Sequence, residues 1–420
     1  MSLAVTYSRA NRGIDAPLVS VETHLANGLP GFTIVGLPEA AVRESRDRVR
    51  SAILNSHFDF PAWRITVNLA PADLPKEGSR FDLAIAIGIL AASEQLPGDQ
   101  LGQYEFVGEL ALSGDLRGVR GILPALIRAG EAQRSAIIPT ANSAEAKLPM
   151  HCESYIAAHI LEVCAHINGR KTLAKPTRQS ATQAPPMGPD LADVKGQPQA
   201  RRALEIAAAG GHNLLLVGPP GTGKTMLAAR LSGLMPPLSR QTALDVASIH
   251  SLAGTALECS NWRRHPFRRP HHSASPAAMV GGGSHPRPGE ISLAHGGILF
   301  LDELPEFDRR VLEALREPIE TGSITLSRVN QRVEFPARFQ LVAAMNPCPC
   351  GFWGDSHRSC QCSPLHIQRY RNKLSGPLLD RFDLLVTVNR PPTSQLLSAC
   401  ATENSHCVRQ RVQACRERQR

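Results

Sequence analysis

Residues Gly218-Pro219-Pro220-Gly221-Thr222-Gly223-Lys224-Thr225 decide the reading of this chain. An apolar run at 213–217 leads into them, and a helical run at 226–234 follows. The octet is G-x-x-x-x-G-K-[ST] in the strand–loop–helix setting that the pattern requires. Its glycines let backbone N–H groups wrap a phosphate chain, and the N-terminus of the next helix adds its positive end. Lys224 is expected to reach the β- and γ-phosphates of ATP, and the Thr225 hydroxyl to ligate Mg²⁺. A ligand-free glycine turn does not account for the motif together with both flanks.

Working outward, a second apolar strand, Ile298-Leu299-Phe300-Leu301, ends in Asp302-Glu303. Asp302 is the expected second Mg²⁺ ligand, and Glu303 the group that polarises the attacking water. A third apolar run, 339–344, leads to Asn346. Upstream, residues 190–197 precede a helical run that reaches 209. The expected fold is an α/β phosphate-loop domain with a parallel sheet flanked by helices.

A polar residue at the tip of the strand between the two motifs is where AAA+ ATPases carry sensor 1. The resemblance implies that Asn346 helps orient the water. Residues 375–383, Ser-Gly-Pro-Leu-Leu-Asp-Arg-Phe-Asp, resemble the AAA+ segment that carries an arginine finger. Arg381 then reaches into a neighbouring subunit's site; the alternative is a helix-end ion pair with Asp380 or Asp383. Residues 277–304, AAMVGGGSHPRPGEISLAHGGILFLDEL, resemble the magnesium-chelatase-like AAA+ ATPases, as do Pro270-His271-His272-Ser273 and 375–383. Within that clade they are most similar to the ComM/YifB family.

Two earlier segments, Pro75-Lys76-Glu77-Gly78-Ser79-Arg80 and Gly108-Glu109-Leu110-Ala111-Leu112-Ser113-Gly114, resemble the protease domain of Lon. The resemblance implies an α+β domain of the ribosomal-protein-S5/Lon-protease type. In Lon the first segment carries the nucleophilic Ser, and its Lys partner follows the second. Here those positions fall on Arg80 and Leu123, with Ser79 one residue off and the next lysine at Lys147. A serine needs a base within hydrogen-bond reach to attack an amide, so the expectation is a scaffold whose catalytic dyad is absent.

Residues 171–189 are rich in Pro, Ser, Thr, Gln and Ala and lose apolar periodicity, as linkers do. They separate the Lon-like region, 1–170, from the ATPase region, 190–395. Strands are expected at 18–25, 32–35, 64–69, 104–112 and 135–138, and helices at 39–56, 82–92 and 123–132. The resemblance implies that 396–420 begins a C-terminal helical lid that is truncated here.

The chain has 420 residues, 42% hydrophobic and 20% charged, with 33 Gly and 33 Pro. That composition excludes disordered, collagen-like and coiled-coil chains. Mean hydropathy is −0.15, and no apolar run approaches the ~18 residues of a membrane span. Residues 1–13 hold no apolar signal region. A cytoplasmic protein with no membrane partner is expected. The net charge of +9, from 46 Lys+Arg against 37 Asp+Glu, permits a polyanionic partner without requiring one.

Cys348-Pro349-Cys350 and Cys360-Gln361-Cys362 form C-x-C…C-x-C with His357 between them. Four thiolates can close a structural Zn²⁺ site; free thiols and a redox disulfide are the alternatives. Between Cys259 and Gly289 there is no acidic residue, but five arginines (Arg263, Arg264, Arg268, Arg269, Arg287) with Trp262 and Phe267 beside the first pair. Arginine interleaved with aromatics suits single-stranded nucleic acid. A hairpin is expected at 324–335 with Arg328 and Arg332 near its tip. The DNA-contact candidates are Arg263, Arg264, Arg268, Arg269, Arg328 and Arg332; packing against a neighbouring subunit or binding nucleotide phosphates is the other reading.

ComM-like proteins are understood as hexameric helicases driving branch migration during natural transformation. The resemblance implies that role here: an ATP-dependent homo-oligomeric ring, a hexamer, acting on single-stranded or branched DNA. Two other readings stay open. One is a magnesium-chelatase-type ATPase that remodels a protein partner. The other is a nucleotide-dependent binding module, inactive for want of the lid.

Overall fold

The computed structural model describes residues 2–149, 151–177, 188–255, 261–283, 286–328, 331–355, 357–392 and 403–419. The chain divides into two units, residues 1–182 with 247–260 and residues 183–246 with 261–420. Residues 247–260 thus cluster with the first unit, although their sequence lies within the expected ATPase region.

The first unit is built on a mixed sheet of β1 (Ser2–Arg9), β2 (Leu18–Ala26), β3 (Gly31–Val35), β4 (Arg64–Ala70), β5 (Tyr104–Phe106), β6 (Ser135–Pro139) and β7 (Ser154–Ala157). Its order is β3-β4-β2-β1-β5-β6-β7. In β2 every second residue is buried, the period of a strand with one face on the core. Helices α1 (Ser45–Asn55) and α2 (Asp82–Ala92) cover that face. All eleven residues of α2 are buried, so its apolar run carries no amphipathic stripe. The expected helix over 39–56 is two helices, Ala40–Arg43 and α1, and Ser45 at the restart donates to Asp82. The expected strand over 104–112 leaves the sheet after Phe106. There Gly108 donates its N–H to the Arg80 carbonyl and accepts from the Leu83 N–H, binding the entry of α2. Helices α3 (Ile122–Glu131) and α4 (Ile160–Ile167) complete this unit.

Besides a short two-stranded pair, Gly281–Gly282 with Arg287–Pro288, the strands described in the second unit are β8 (Leu214–Val217), β9 (Phe267–Arg268), β10 (Ile298–Leu301), β11 (Ser323–Arg328), β12 (Gln331–Pro336), β13 (Gln340–Met345) and β14 (Leu384–Thr387). Five form one sheet in the order β9-β10-β13-β8-β14, and every pairing in it is parallel. β10 and β13 are buried at every residue, which is why they read as continuous apolar runs rather than alternating ones. β11 and β12 form the expected antiparallel hairpin, with Ser323 opposite Pro336 and Arg328 opposite Gln331.

Helices α5 (Pro198–Gly210) and α6 (Lys224–Leu234) pack on this sheet. Helix α7 (Arg240–Ala253) begins in the second unit and ends in the first. Helix α8 (Pro364–Arg371) follows β13, and α9 (Ser405–Gln419) lies in the segment expected to open a lid. It is docked: Val408 and Val412 join the core, and Arg409 and Arg416 donate to the Gly233 and Ala208 carbonyls. Among the described residues no helix is long and apolar enough to cross a membrane.

Candidate functional site

Strand register builds the site. Val217 of β8 lies opposite Met345 of β13, and Ala343 of β13 opposite Leu301 of β10. The phosphate loop, Asn346 and Asp302-Glu303 therefore leave the sheet side by side at its carboxyl edge, where open parallel sheets bind ligands. Gly218 lies so close to the Val388 carbonyl that a Cβ there would meet it at 2.1 Å. Gly221 and Gly223 hold φ of +76° and +85°, which side chains disfavour. Gly223 supplies no side chain to cap α6, so the first N–H groups of that helix face an incoming anion.

Lys224 is nearly buried, and its Nζ donates to the Gly218 carbonyl (2.6 Å), the Pro219 carbonyl (2.9 Å) and Asn346 Oδ1 (3.2 Å). Burial pulls its pKa down, while the charges of Asp302 and Glu303 pull it up. These hydrogen-bond partners are neutral oxygens, weaker partners for an ammonium than a phosphate. Thr222, also buried, donates to the Pro219 carbonyl at 3.0 Å and holds the loop closed on itself.

Thr225 Oγ1 donates to Asp302 Oδ2 at 2.8 Å. A hydroxyl and a carboxylate converging beside the loop are the hard oxygens that Mg²⁺ takes, so the pair fits that ion. Bound there, Mg²⁺ would neutralise phosphate charge. Glu303 sits one residue on, half-exposed, at φ +55°.

The sequence reading gives two neighbours of these carboxylates other places or none: Arg269 is a DNA-contact candidate there, with nucleotide phosphates as the alternative, and His272 has no role. Arg269 Nη2 donates to Asp302 Oδ2 at 2.7 Å, and His272 Nδ1 lies 3.4 Å from Glu303 Oε2. Both follow β9, which pairs with β10. The available signal was Pro270-His271-His272-Ser273, but its place depends on which strand lies beside β10.

Of the other basic candidates, Arg263 Nε donates to the Leu238 carbonyl at 2.9 Å, and Arg268 grips Glu290 with two bonds of 2.7 and 2.6 Å. The Arg264 N–H donates to the Asn261 carbonyl at 2.9 Å. Arg332 is exposed on the β11–β12 hairpin; the Arg328 side chain and residues 329–330 lie outside the described residues. Arg381 precedes β14. Its carbonyl accepts from Asn213 Nδ2 at 2.8 Å, and its guanidinium pairs with Glu320, holding that carboxyl below its usual range. Asp383 instead accepts from the Asn213 N–H at 2.7 Å.

Just past Asn346, the sulfurs of Cys348, Cys350, Cys360 and Cys362 all lie within 4.8 Å of one another. None of the four is in a disulfide. Backbone N–H groups of Phe352 and Gln361 push the Cys350 thiol down, to about 6.

In the first unit, Arg80 is buried and donates to Asn11 Oδ1 (2.5 Å), the Gly121 carbonyl (3.2 Å) and the Arg120 carbonyl. Burial pulls its pKa down to about 10. Leu123 is fully buried two residues beyond Gly121. The two positions compared with a Ser–Lys dyad thus lie together, filled by a buried guanidinium and an apolar side chain. Ser79 Oγ donates to Glu109.

The family model described as magnesium chelatase, subunit ChlI, matches residues 190–396, and one described as subunit ChlI of Mg-chelatase matches residues 21–142. The chain is 56% identical to the YifB protein of Salmonella typhimurium, over 100% of this chain and 82% of that one. It is 55% identical to the competence protein ComM of Haemophilus influenzae, over 99% of this chain and 82% of that one. The magnesium-chelatase 67 kDa subunit of Heliobacterium mobile is 26% identical over 39% of this chain and 29% of its own length.

Proposed function

From a chain that belongs to the ComM/YifB family of magnesium-chelatase-like proteins, and is therefore an AAA+ ATPase, we propose a motor that moves on DNA. It works as a homo-oligomeric ring, a hexamer, in the cytoplasm, binds single-stranded or branched DNA, and drives branch migration during natural transformation or recombination. The observation that supports hydrolysis is the convergence of Lys224, Thr225, Asp302, Glu303 and Asn346 at one sheet edge.

In this mechanism the phosphate loop, Gly218 through Thr225, binds ATP through backbone N–H groups and Lys224. Thr225 and Asp302 hold Mg²⁺. Glu303 accepts a proton from the water that attacks the γ-phosphate, and Asn346 fixes that water's orientation. Arg381 of a neighbouring subunit supplies positive charge to the same phosphate. Cys348, Cys350, Cys360 and Cys362 would take Zn²⁺. Residues 1–170 are an S5/Lon-type scaffold without peptidase chemistry. We expect no cleavage of casein or of a peptide panel; cleavage that disappears in Ser79→Ala would refute this.

The DNA contact is assigned first to the β11–β12 hairpin, because Arg332 is exposed there and Arg328 lies opposite Gln331 at the end of β11. Arg268 and Arg269 are the weaker candidates, since DNA would have to displace Glu290 and Asp302 from them. Arg263 and Arg264 form the second arm of the proposal. In the intact chain, Arg328→Ala/Arg332→Ala should keep ATP affinity and lose DNA affinity without changing sequence preference. The log–log salt slope should flatten by roughly 0.7 for each phosphate that the variant no longer neutralises. An unchanged slope and affinity assigns the hairpin to a subunit interface. Similarity to a magnesium-chelatase subunit favours a second reading, remodelling of a protein partner. Nucleotide-dependent ring assembly with no DNA affinity in any salt would select it.

A further inference from the structure

We propose that Cys348, Cys350, Cys360 and Cys362 hold one tetrahedral Zn²⁺, and that this ion acts as a clamp keeping Asn346 and the phosphate loop in register. Three sulfur–sulfur distances are 3.3 Å (Cys348–Cys350), 3.6 Å (Cys348–Cys360) and 3.6 Å (Cys350–Cys360). A tetrahedron with Zn–S bonds of about 2.3 Å has edges of about 3.8 Å. A disulfide needs about 2.05 Å, far inside the separations found. The sulfurs are also dressed for negative charge. The Trp353 N–H points at Cys348 Sγ (3.3 Å) and the Cys362 N–H at Cys360 Sγ (3.4 Å), the outer-shell donors that steady metal-bound ligands. Binding replaces thiol protons by the metal; no electron moves.

The position of the knot gives it a task beyond holding a loop. Among the described residues, 346–363 contain no helix or strand, so the backbone there lacks a hydrogen-bonded ladder to stiffen it. Cys348 is fully buried and lies two residues from Asn346. Gly351, at φ +87°, rests on the phosphate loop: a Cβ there would meet Pro220 Cδ at 2.6 Å and lie 3.8 Å from Asn346 Cγ. Helix α8 holds the other side. Arg371 donates to the Pro347 carbonyl, next to Asn346, at 3.4 Å and stacks on Trp353 at 4.3 Å. One ion joining the two C-x-C pairs therefore ties Asn346, Pro220 and α8 into one rigid group. The cysteines are positioning residues: they act through the segment that carries Asn346 and rests on the phosphate loop. Without the ion, Lys224 and the loop amides still bind ATP, but Asn346 loses its fixed place. A shift of about 1 Å in such a group can cost up to ~100-fold in turnover.

The clamp rests on the ATPase reading only for its kinetic readout, so the test carries a second one. The tag-free 420-residue chain should contain about one Zn²⁺ by elemental analysis, and its Co²⁺-exchanged form should show thiolate-to-metal absorption with tetrahedral d–d bands. Cys360→Ser/Cys362→Ser should lose the metal, hold ATP affinity within about threefold and drop kcat by roughly 10- to 100-fold. Cys362→His should regain both metal and turnover. Should the double variant misfold, a mercurial that releases zinc from the wild-type chain replaces it. Amide hydrogen exchange reads the clamp without turnover: zinc release should speed exchange at 346–353 and leave 214–217 protected. No zinc in the wild-type chain, and no cobalt spectrum, overturns the site. Zinc present, with exchange unchanged on its release, overturns the clamp. A wild-type chain without turnover fails the ATPase reading alone, because exchange still decides the clamp.

Discussion

Glu303→Gln leaves ATP bound and slows its turnover by roughly 10²- to 10⁴-fold, the usual worth of a positioned general base. The structure separates the two roles. Lys224 sits inside the phosphate loop, held by the Gly218 and Pro219 carbonyls. Glu303 stands outside it, half-exposed and 3.4 Å from His272. Glutamine keeps the size of Glu303 and removes only its ability to take a proton. Lys224→Ala acts earlier. It deletes the ammonium that would exchange three neutral oxygens for phosphate, and leaves Asp302 and Glu303 facing the nucleotide uncompensated. Isothermal titration with ATP should therefore detect binding in Glu303→Gln and none in Lys224→Ala. Phosphate release should be absent in Lys224→Ala and reduced by that factor in Glu303→Gln. Wild-type turnover in Glu303→Gln removes the general-base assignment; unaltered ATP affinity in Lys224→Ala removes the phosphate-loop one.

Arg381→Ala lowers turnover by ~10³-fold or more, the scale of an added positive charge on a transferred phosphoryl group, and it does so at the neighbour's site. Leu384 of β14 pairs with Leu214 at the start of β8, whereas the phosphate loop begins after Val217 at the other end. Arg381 lies three residues before Leu384, with its carbonyl bound to Asn213. The strand between separates it from its own phosphates by about 10 Å, at ~3.3 Å per residue. Its partner Glu320 is half-exposed, and an exposed ion pair is weak enough to exchange for a phosphate. In mixed rings, Arg381→Ala subunits should depress turnover more than their share of the population. A strictly proportional fall means that Arg381 acts within its own subunit.

Much of the nucleotide site is legible in the sequence because it is written locally. The phosphate loop needs glycines at fixed spacing, and β10 shows itself as four apolar residues that end in two acids. Hairpin β11–β12 declares itself by short-range alternation around a turn. The first unit is less legible. β1, which lies between β2 and β5 in the sheet, is absent from the expected strands, and the expected strand over 104–112 breaks at Gly108, whose partners are Arg80 and Leu83. No local pattern announces those bonds.

By itself the sequence determined which groups are proposed to carry the chemistry: Lys224 and Thr225 for phosphate and metal, Glu303 for the water, four cysteines two by two. Those choices lie within single strand ends and loops, where residue type and spacing dictate geometry. The tertiary structure decided the pairings. Strand order β9-β10-β13-β8-β14 brings Arg269 to Asp302 and His272 to Glu303, although the two stretches are more than thirty residues apart. It also lays Gly351 on Pro220 and joins Arg381 to Glu320. An arginine's partner is whichever carboxylate the packed sheet leaves within reach of its side chain, and sequence distance does not encode that reach.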